Sequence, residues 1–228
     1  RDLVNSGNIN SQSGNVAFVV ARDLSHSGTV STGGNVIVDV GRDLTSGSGS
    51  IVAGDYLIVS TGSDSLRGSQ TLGFLAAKQV LLKASGDIVD GNADAVNVQA
   101  AALSMTAEGI GTHADPLDTT VSTIAARSEN GIYLRQLQGD PSLTIGHVAT
   151  GTARVDVRQV NFNSSTLAIE RTLEVEGLDD LETQTGRTSS DAAIEVEVIR
   201  GNLIVTDGQD ADGRGVLVSH SGAIVLQT

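Results

Sequence analysis

The chain has no cysteine and no tryptophan, and its 228 residues include two prolines, one methionine, three phenylalanines and two tyrosines. Without thiols, no disulfide can staple the fold and no thiolate can serve as nucleophile or metal ligand. The aromatics Phe18, Tyr56, Phe74, Tyr133 and Phe162 are scattered, whereas a sugar cleft needs clustered aromatic platforms. Lysine occurs at Lys78 and Lys83 alone, and 27 acids against 14 bases leave a net charge of -13. A surface of that sign repels phosphate backbones and anionic lipid, which argues against nucleic-acid and membrane-surface partners. No apolar run approaches the length of a membrane-spanning helix, so no membrane insertion is expected. The chain opens on Arg1 without a signal peptide and reads as a piece cut from something longer.

What is abundant is glycine, 27 residues, within a composition that is 39% hydrophobic. That profile fits many short strands with a Val, Ile, Leu and Ala core, joined by Gly, Ser, Asn and Asp turns. An internal repeat sharpens the reading. Arg-Asp-Leu occurs at 1–3, 22–24 and 42–44, followed each time by a Ser/Gly turn, a short alternating strand, a second glycine turn and a longer apolar strand. The short strands are placed at Asn8 to Asn10, Thr29 to Ser31 and Ser50 to Val52. The long ones are placed at Val16 to Val20, Val36 to Val40 and Tyr56 to Ser60.

A unit of about 20 residues cannot bury its inward face alone, but stacked copies can. The expected fold is therefore all-β: a right-handed parallel β-helix, or β-solenoid, with about 20 residues per coil and a single elongated domain over 1–228. At that period the chain makes about 10 to 12 coils and a rod of about 50 Å. Leu3, Leu24 and Leu44 are expected to stack inward at one corner. Asp2, Asp23 and Asp43 are expected to cap their own turn amides beside a compensating column of Arg1, Arg22 and Arg42.

After Thr61 the period blurs through "GSDSLRGSQTLGF", read as a longer turn or protruding loop. Strands are expected again at Val80 to Lys83, Ala95 to Gln99 and Leu103 to Thr106. Further strands fall near Ser142 to Gly146, Arg154 to Val160, Leu173 to Gly177, Ile194 to Ile199, Leu203 to Thr206 and Ile224 to Gln227. "GLDDLETQTGRTSSD" is read as a polar loop and Pro116 as a turn residue. Written tail to head, "SHSGAIVLQT" followed by "RDL" has the grammar of "SQSGNVAFVVA" followed by "RDL", so copies are expected to join end to end, covalently or by stacking.

The segment "GGNVIVDVGRDLTSGSGSIVAGDYLIV" resembles the repeat grammar of filamentous-haemagglutinin-like exoproteins. "LSMTAEGIGTHADPLDTTVSTIAARSENGIYL" resembles segments of giant repetitive bacterial surface proteins. The first resemblance spans about the first 60 residues and the second roughly Leu103 to Leu134. Together they imply a parallel β-helix that is extracellular, displayed at the cell surface as a long rod, and used in adhesion or surface layers. They carry no functional residue over.

Chemical motifs are few. "TDGQDADGRG" sets Asp207, Asp210 and Asp212 in a glycine-containing loop that suits Ca2+, although it lacks an EF-hand's closing Glu; a solvated turn is the plainer reading. "DGNAD", Asp90 to Asp94, is a weaker cation motif. His26, His113, His147 and His220 show no i, i+2 or i, i+4 pairing and are read as surface turn residues. Asp179, Asp180 and Glu182 pair acids within a loop that fixes no separation between them, so an enzyme is not expected. The sequence thus points to a structural segment of an extracellular filament or surface adhesin, with copies of itself as partners. The alternatives are a cation- or glycan-binding module and, third, a carbohydrate-active β-helix enzyme.

Overall fold

Short runs of alternating apolar residues, most of them closed by a glycine, serine or asparagine, favour strands over helices. In the computed structural model of the protein every regular element among the described residues is a strand. The structure describes residues 1–63, 66–137, 142–160, 166–183, 192–207 and 216–228, with side chains for all but 155–160 and 166–171.

The strands stack in parallel as a β-solenoid of about seven turns, about 21 residues apart. Each of the first three turns has three sides. They are β1 (Leu3–Asn5), β2 (Asn8–Ser11) and β3 (Val16–Val20); β4 (Leu24–His26), β5 (Thr29–Thr32) and β6 (Val36–Val40); and β7 (Leu44–Thr45), β8 (Ser50–Ala53) and β9 (Tyr56–Thr61). In the next turns the second and third sides run together: β10 (Gln70–Leu72) with β11 (Phe74–Ala84), β12 (Ile88–Asp90) with β13 (Val98–Ala107), and then β14 (Leu117–Ser128). β15 (Ile132–Gln136) and β16 (Leu143–Ile145) begin another turn. A hairpin of β17 (Gly151–Val160) and β18 (Thr166–Val175) interrupts it before β19 (Leu181–Thr183) completes the third side. β20 (Ile194–Val198), β21 (Leu203–Val205), β22 (Leu217–Val218) and β23 (Ile224–Gln227) follow.

Side-chain columns hold the stack. One corner column runs Leu3, Leu24, Leu44, Gln70, Ile88, Ile110, Ile132, Ile194 and Ile224, each in register with the next. On the third side Val16, Val36, Leu57, Val80, Leu103, Ile124, Ile145 and Val205 form another. Nearly all of these between Leu24 and Ile194 are fully buried and belong to one continuous core. At about 25 cal/mol per Å2, each such side chain contributes roughly 1.5–3 kcal/mol. Gln70 is the polar exception; its Nε2 donates to the Lys83 carbonyl at 2.9 Å, while its buried Oε1 finds no partner among the described residues.

Close stacking explains the glycines. A Cβ on Gly28 would lie 2.0 Å from the Gly7 carbonyl oxygen, and one on Gly54 would lie 2.2 Å from that of Gly33. At these bends the backbone of one turn occupies the space a side chain would need.

Several expectations change. The solenoid has about seven turns rather than 10 to 12, because residues 146–160 and 166–180 leave the coil for the hairpin and some bends lengthen, as between Thr61 and Gln70. At about 4.8 Å per turn its length is roughly 34 Å. Beyond the turn placed at Pro116, where no strand was expected, Leu117–Ser128 forms a 12-residue strand. The aspartates reach across turns instead of capping their own: Asp23 Oδ1 accepts from Asp43 N at 3.4 Å, and Asp43 Oδ1 accepts from Ser69 N at 2.9 Å. The tail-to-head likeness is not a likeness of place, since β23 sits in the column of β1 and not of β3. Thr228 joined to Arg1 would set corner residues Ile224 and Leu3 about seven positions apart, where a turn takes about 21. End-on stacking of separate copies, or joining through intervening sequence, is the form of that expectation the register permits.

Candidate functional site

In a β-strand, alternate side chains face opposite sides of the sheet. The third side of the solenoid carries apolar residues on both faces. Outside the core column stands a second, outward one: Ala17, Ile37, Ile58, Leu81, Ser104 and Ala125. Ile37, Ile58 and Leu81 are at most 1% exposed although they point away from the core.

The hairpin covers them. Ala153, Leu173 and Val175 pack on Ile37, Ile58 and Leu81, with Ala17 and Tyr56 at the margins. Gly151 fits against Leu81 so closely that a Cβ there would lie 2.5 Å from the Leu81 side chain. At the hairpin's base Val148 and Leu178 pair antiparallel and close over Ala125 and Ala102.

Two side-chain bonds fix the hairpin's direction. Gln79 Nε2, in the fourth turn, donates to the Ala149 carbonyl at 2.7 Å, and Asn15 Nδ2, in the first, donates to the Arg154 carbonyl at 2.9 Å. Five residues of extended chain, about 17 Å, thus cover three turns, about 14 Å. The hairpin runs nearly along the solenoid axis, at right angles to the strands beneath it and toward the first turn.

Charged groups link turns on the other faces. Arg22 grips Asp2 through two bonds of 2.8 Å, and Arg42 grips Asp23 in the same way; each arginine holds its partner carboxyl below the ordinary carboxylate range. Arg67 bridges Asp87 at 2.9 Å and Glu108 at 2.8 Å; burial outweighs Arg67 and raises the Asp87 carboxyl. Asp118, fully buried, receives Arg135 at 2.6 and 2.7 Å, and this pairing pushes the guanidinium upward.

The residues singled out in the sequence separate. Asp207 is exposed in the stretch after β21, and Asp210 and Asp212 lie outside the described residues. In "DGNAD", Asp90 points inward and its Oδ1 accepts from Asn92 N and Asn97 Nδ2, both at 2.7 Å, while Asp94 turns out to Arg135 at 3.0 Å. Among the described residues no group of three or more His, Asp or Glu is placed to hold a metal. His26 corrects the surface-turn expectation: it is 2% exposed in β4, its ring lying between Asn5 Nδ2 at 3.0 Å and the Ser50 carbonyl at 3.2 Å and against Phe18. It faces inward because the alternation of β4 places it there. His147 bonds Asp179 at 2.9 Å, and Glu182 pairs with Arg127, so that acid cluster ties the hairpin's base to its surroundings. His220 hydrogen-bonds Thr183.

Sequence reading missed two features. One is the outward column, whose signal was present in "VIV", "LIV" and "VLL", runs that are apolar at both parities and so demand cover on both faces. The other is a small cleft of about 180 Å3 lined by His113, Pro116, Tyr133, Glu195, Glu197 and Gln227 among others. His113 Nδ1 lies 2.7 Å from Glu195 there and edge-on to Tyr133. These residues stand far apart in sequence and meet only through the stacking of turns. Comparison with family models, with curated proteins and with solved structures finds no match.

Proposed function

We propose that the chain is a structural segment of an extracellular filament or surface adhesin, a stiff rod whose copies stack end on. One observation carries this reading: the corner column from Leu3 to Ile224 continues unbroken through every turn, so the length of the molecule is a single ladder of main-chain hydrogen bonds over an aliphatic interior. Such a ladder resists bending and proteolysis because no turn opens without unpairing both neighbours. Both end surfaces favour association. Val4 and Val19 in the first turn, and Ile224, Val225 and Leu226 in β23, are exposed apolar residues on unpaired strand edges, and such edges recruit further strands. The resemblance of the repeat grammar to that of filamentous-haemagglutinin-like exoproteins supports the extracellular setting. The test is mass in solution over a range of concentration, with and without chelator. Association that grows with concentration and ignores chelator supports the rod; a 23.3 kDa monomer at all concentrations counts against it.

A second reading, a module that binds a small glycan, is favoured by the cleft at Tyr133, where one ring stands beside the carboxylates of Glu195 and Glu197 and the Gln227 amide. Calorimetric titration with neutral and amino sugars checks it: saturable heat abolished by Tyr133→Ala supports this reading, and its absence removes it.

A further inference from the structure

The hairpin is longer than the surface it covers. β17 and β18 pair over ten rungs, from Gly151 opposite Val175 to Val160 opposite Thr166. The Arg154 carbonyl already meets Asn15 in the first turn. Six rungs, 155–160 with 166–171, therefore continue the ladder beyond the rung that meets the first turn. At about 3.3 Å per residue they are about 20 Å of ladder, the height of about four turns.

We propose that these distal rungs are an axial clasp that lies against the last turns of a second copy stacked on the first turn. The inference rests on the end-on reading above and names the part that makes it specific. Three observations lead to this occupant. The first is continuity: the rungs extend the interface that Ala153, Leu173 and Val175 make with the outward column. The second is what the other end offers. On the third side of the last turns Ile204 of β21, of opposite parity to the inward column, is 43% exposed, an apolar residue at the height an overlapping hairpin would reach. The third is the corner column, in which Ile224 at one end and Leu3 at the other occupy the same place, so end-on copies meet in the alignment that carries the hairpin across the junction.

The experiment compares wild type with two variants by sedimentation velocity over a hundredfold range of concentration. In the first, residues 157–169 are replaced by Gly-Asn, which keeps the rungs on Ile37, Ile58 and Leu81. In the second, Ile204→Lys alters the receiving surface and leaves the hairpin whole. Wild-type association weakened tenfold or more by each variant, with circular dichroism unchanged in at least one, supports the clasp. Association of the shortened variant equal to wild type overturns the clasp and leaves the end-on reading intact. Wild type that stays monomeric overturns both. Because the chain has no cysteine, Val157→Cys adds a single thiol whose reaction with maleimide should slow at least tenfold on assembly. An unchanged rate places these rungs outside the junction and contradicts the proposal.

Discussion

In the first three turns each side of the solenoid is a separate strand of two to six residues, with glycine at the bends; in the next three the second and third sides merge into β11, β13 and β14, and the bend falls at Ala77–Lys78, Ala100–Ala101 and Val121–Ser122. The charges differ in the same way. Arg22 and Asp2 meet at the surface, each about half exposed, while Arg135 meets an Asp118 side chain that solvent does not reach. Yet Ile9, Val30 and Ile51 of the early turns continue into Leu75 and Val98 of the later ones without a break in register. The repeat visible in sequence is a repeat of turn chemistry. What propagates the fold is the inward column, which tolerates a change of turn as long as an apolar or internally bonded side chain arrives at the right height. Thr119 and Gln136 show the limit: both enter the column, and Thr119 Oγ1 donates to Gln136 Oε1 at 2.8 Å while Gln136 Nε2 donates to the Val121 carbonyl at 2.8 Å.

The largest expected effect separates the two kinds of ion pair. Arg135→Ala strands the Asp118 carboxylate where solvent does not reach it and should destabilise by about 3–5 kcal/mol in urea unfolding, whereas Arg22→Ala should leave the midpoint unchanged within error. Equal effects would erase the distinction between early and late turns. Next comes the column they share. Leu75→Ala, between Ile51 and Val98, should cost about 2–5 kcal/mol, and a cost below 1 kcal/mol would show that the register does not continue across the change of turn. The bends give a smaller contrast. Gly54→Ala forces a Cβ against the Gly33 carbonyl and should destabilise by about 1–3 kcal/mol. Ala77→Gly, where the later turns need no glycine, should cost about 0.5–1 kcal/mol from backbone entropy alone. If the order reverses, glycine at the early bends is not a steric requirement.

The smallest effect is in acid. Asp2 and Asp23 titrate below their unfolded value of 3.8 because Arg22 and Arg42 bond their charged forms. Their stabilisation is therefore complete above that value and is lost as pH falls below it through the folded values. Asp87, raised by burial, acts in the opposite sense, its penalty being relieved as pH falls. Replacing Arg22 and Arg42 together by Met should flatten the loss of stability as pH falls below about 3.8; an unchanged acid limb assigns it to other carboxylates.

Much of this was legible in the chain. Arg-Asp-Leu at a spacing of about one turn, together with alternating strands between glycines, identifies a parallel solenoid because stacking repeats the same corner. The merged strands blurred the period because their bends carry no glycine to mark them. The hairpin was half visible: two strands fall near its arms, but nothing local distinguishes a strand that joins the coil from one that crosses it. The inward His26 was misread because its neighbours, "SHSG", look like a turn while the strand parity of Leu24 sends it inside. The outward column was readable in the double-faced runs at 36–38, 57–59 and 80–82. The Tyr133 cleft was not, because its residues come together only when turns stack.

Electron microscopy of the purified 228-residue protein tests the central claim most directly. Unbranched fibres with an axial repeat of roughly 34–43 Å, from about seven full turns to the nine levels of the corner column, are the result the account predicts. Monodisperse particles of a single copy, unchanged at the highest concentration reached, would contradict it.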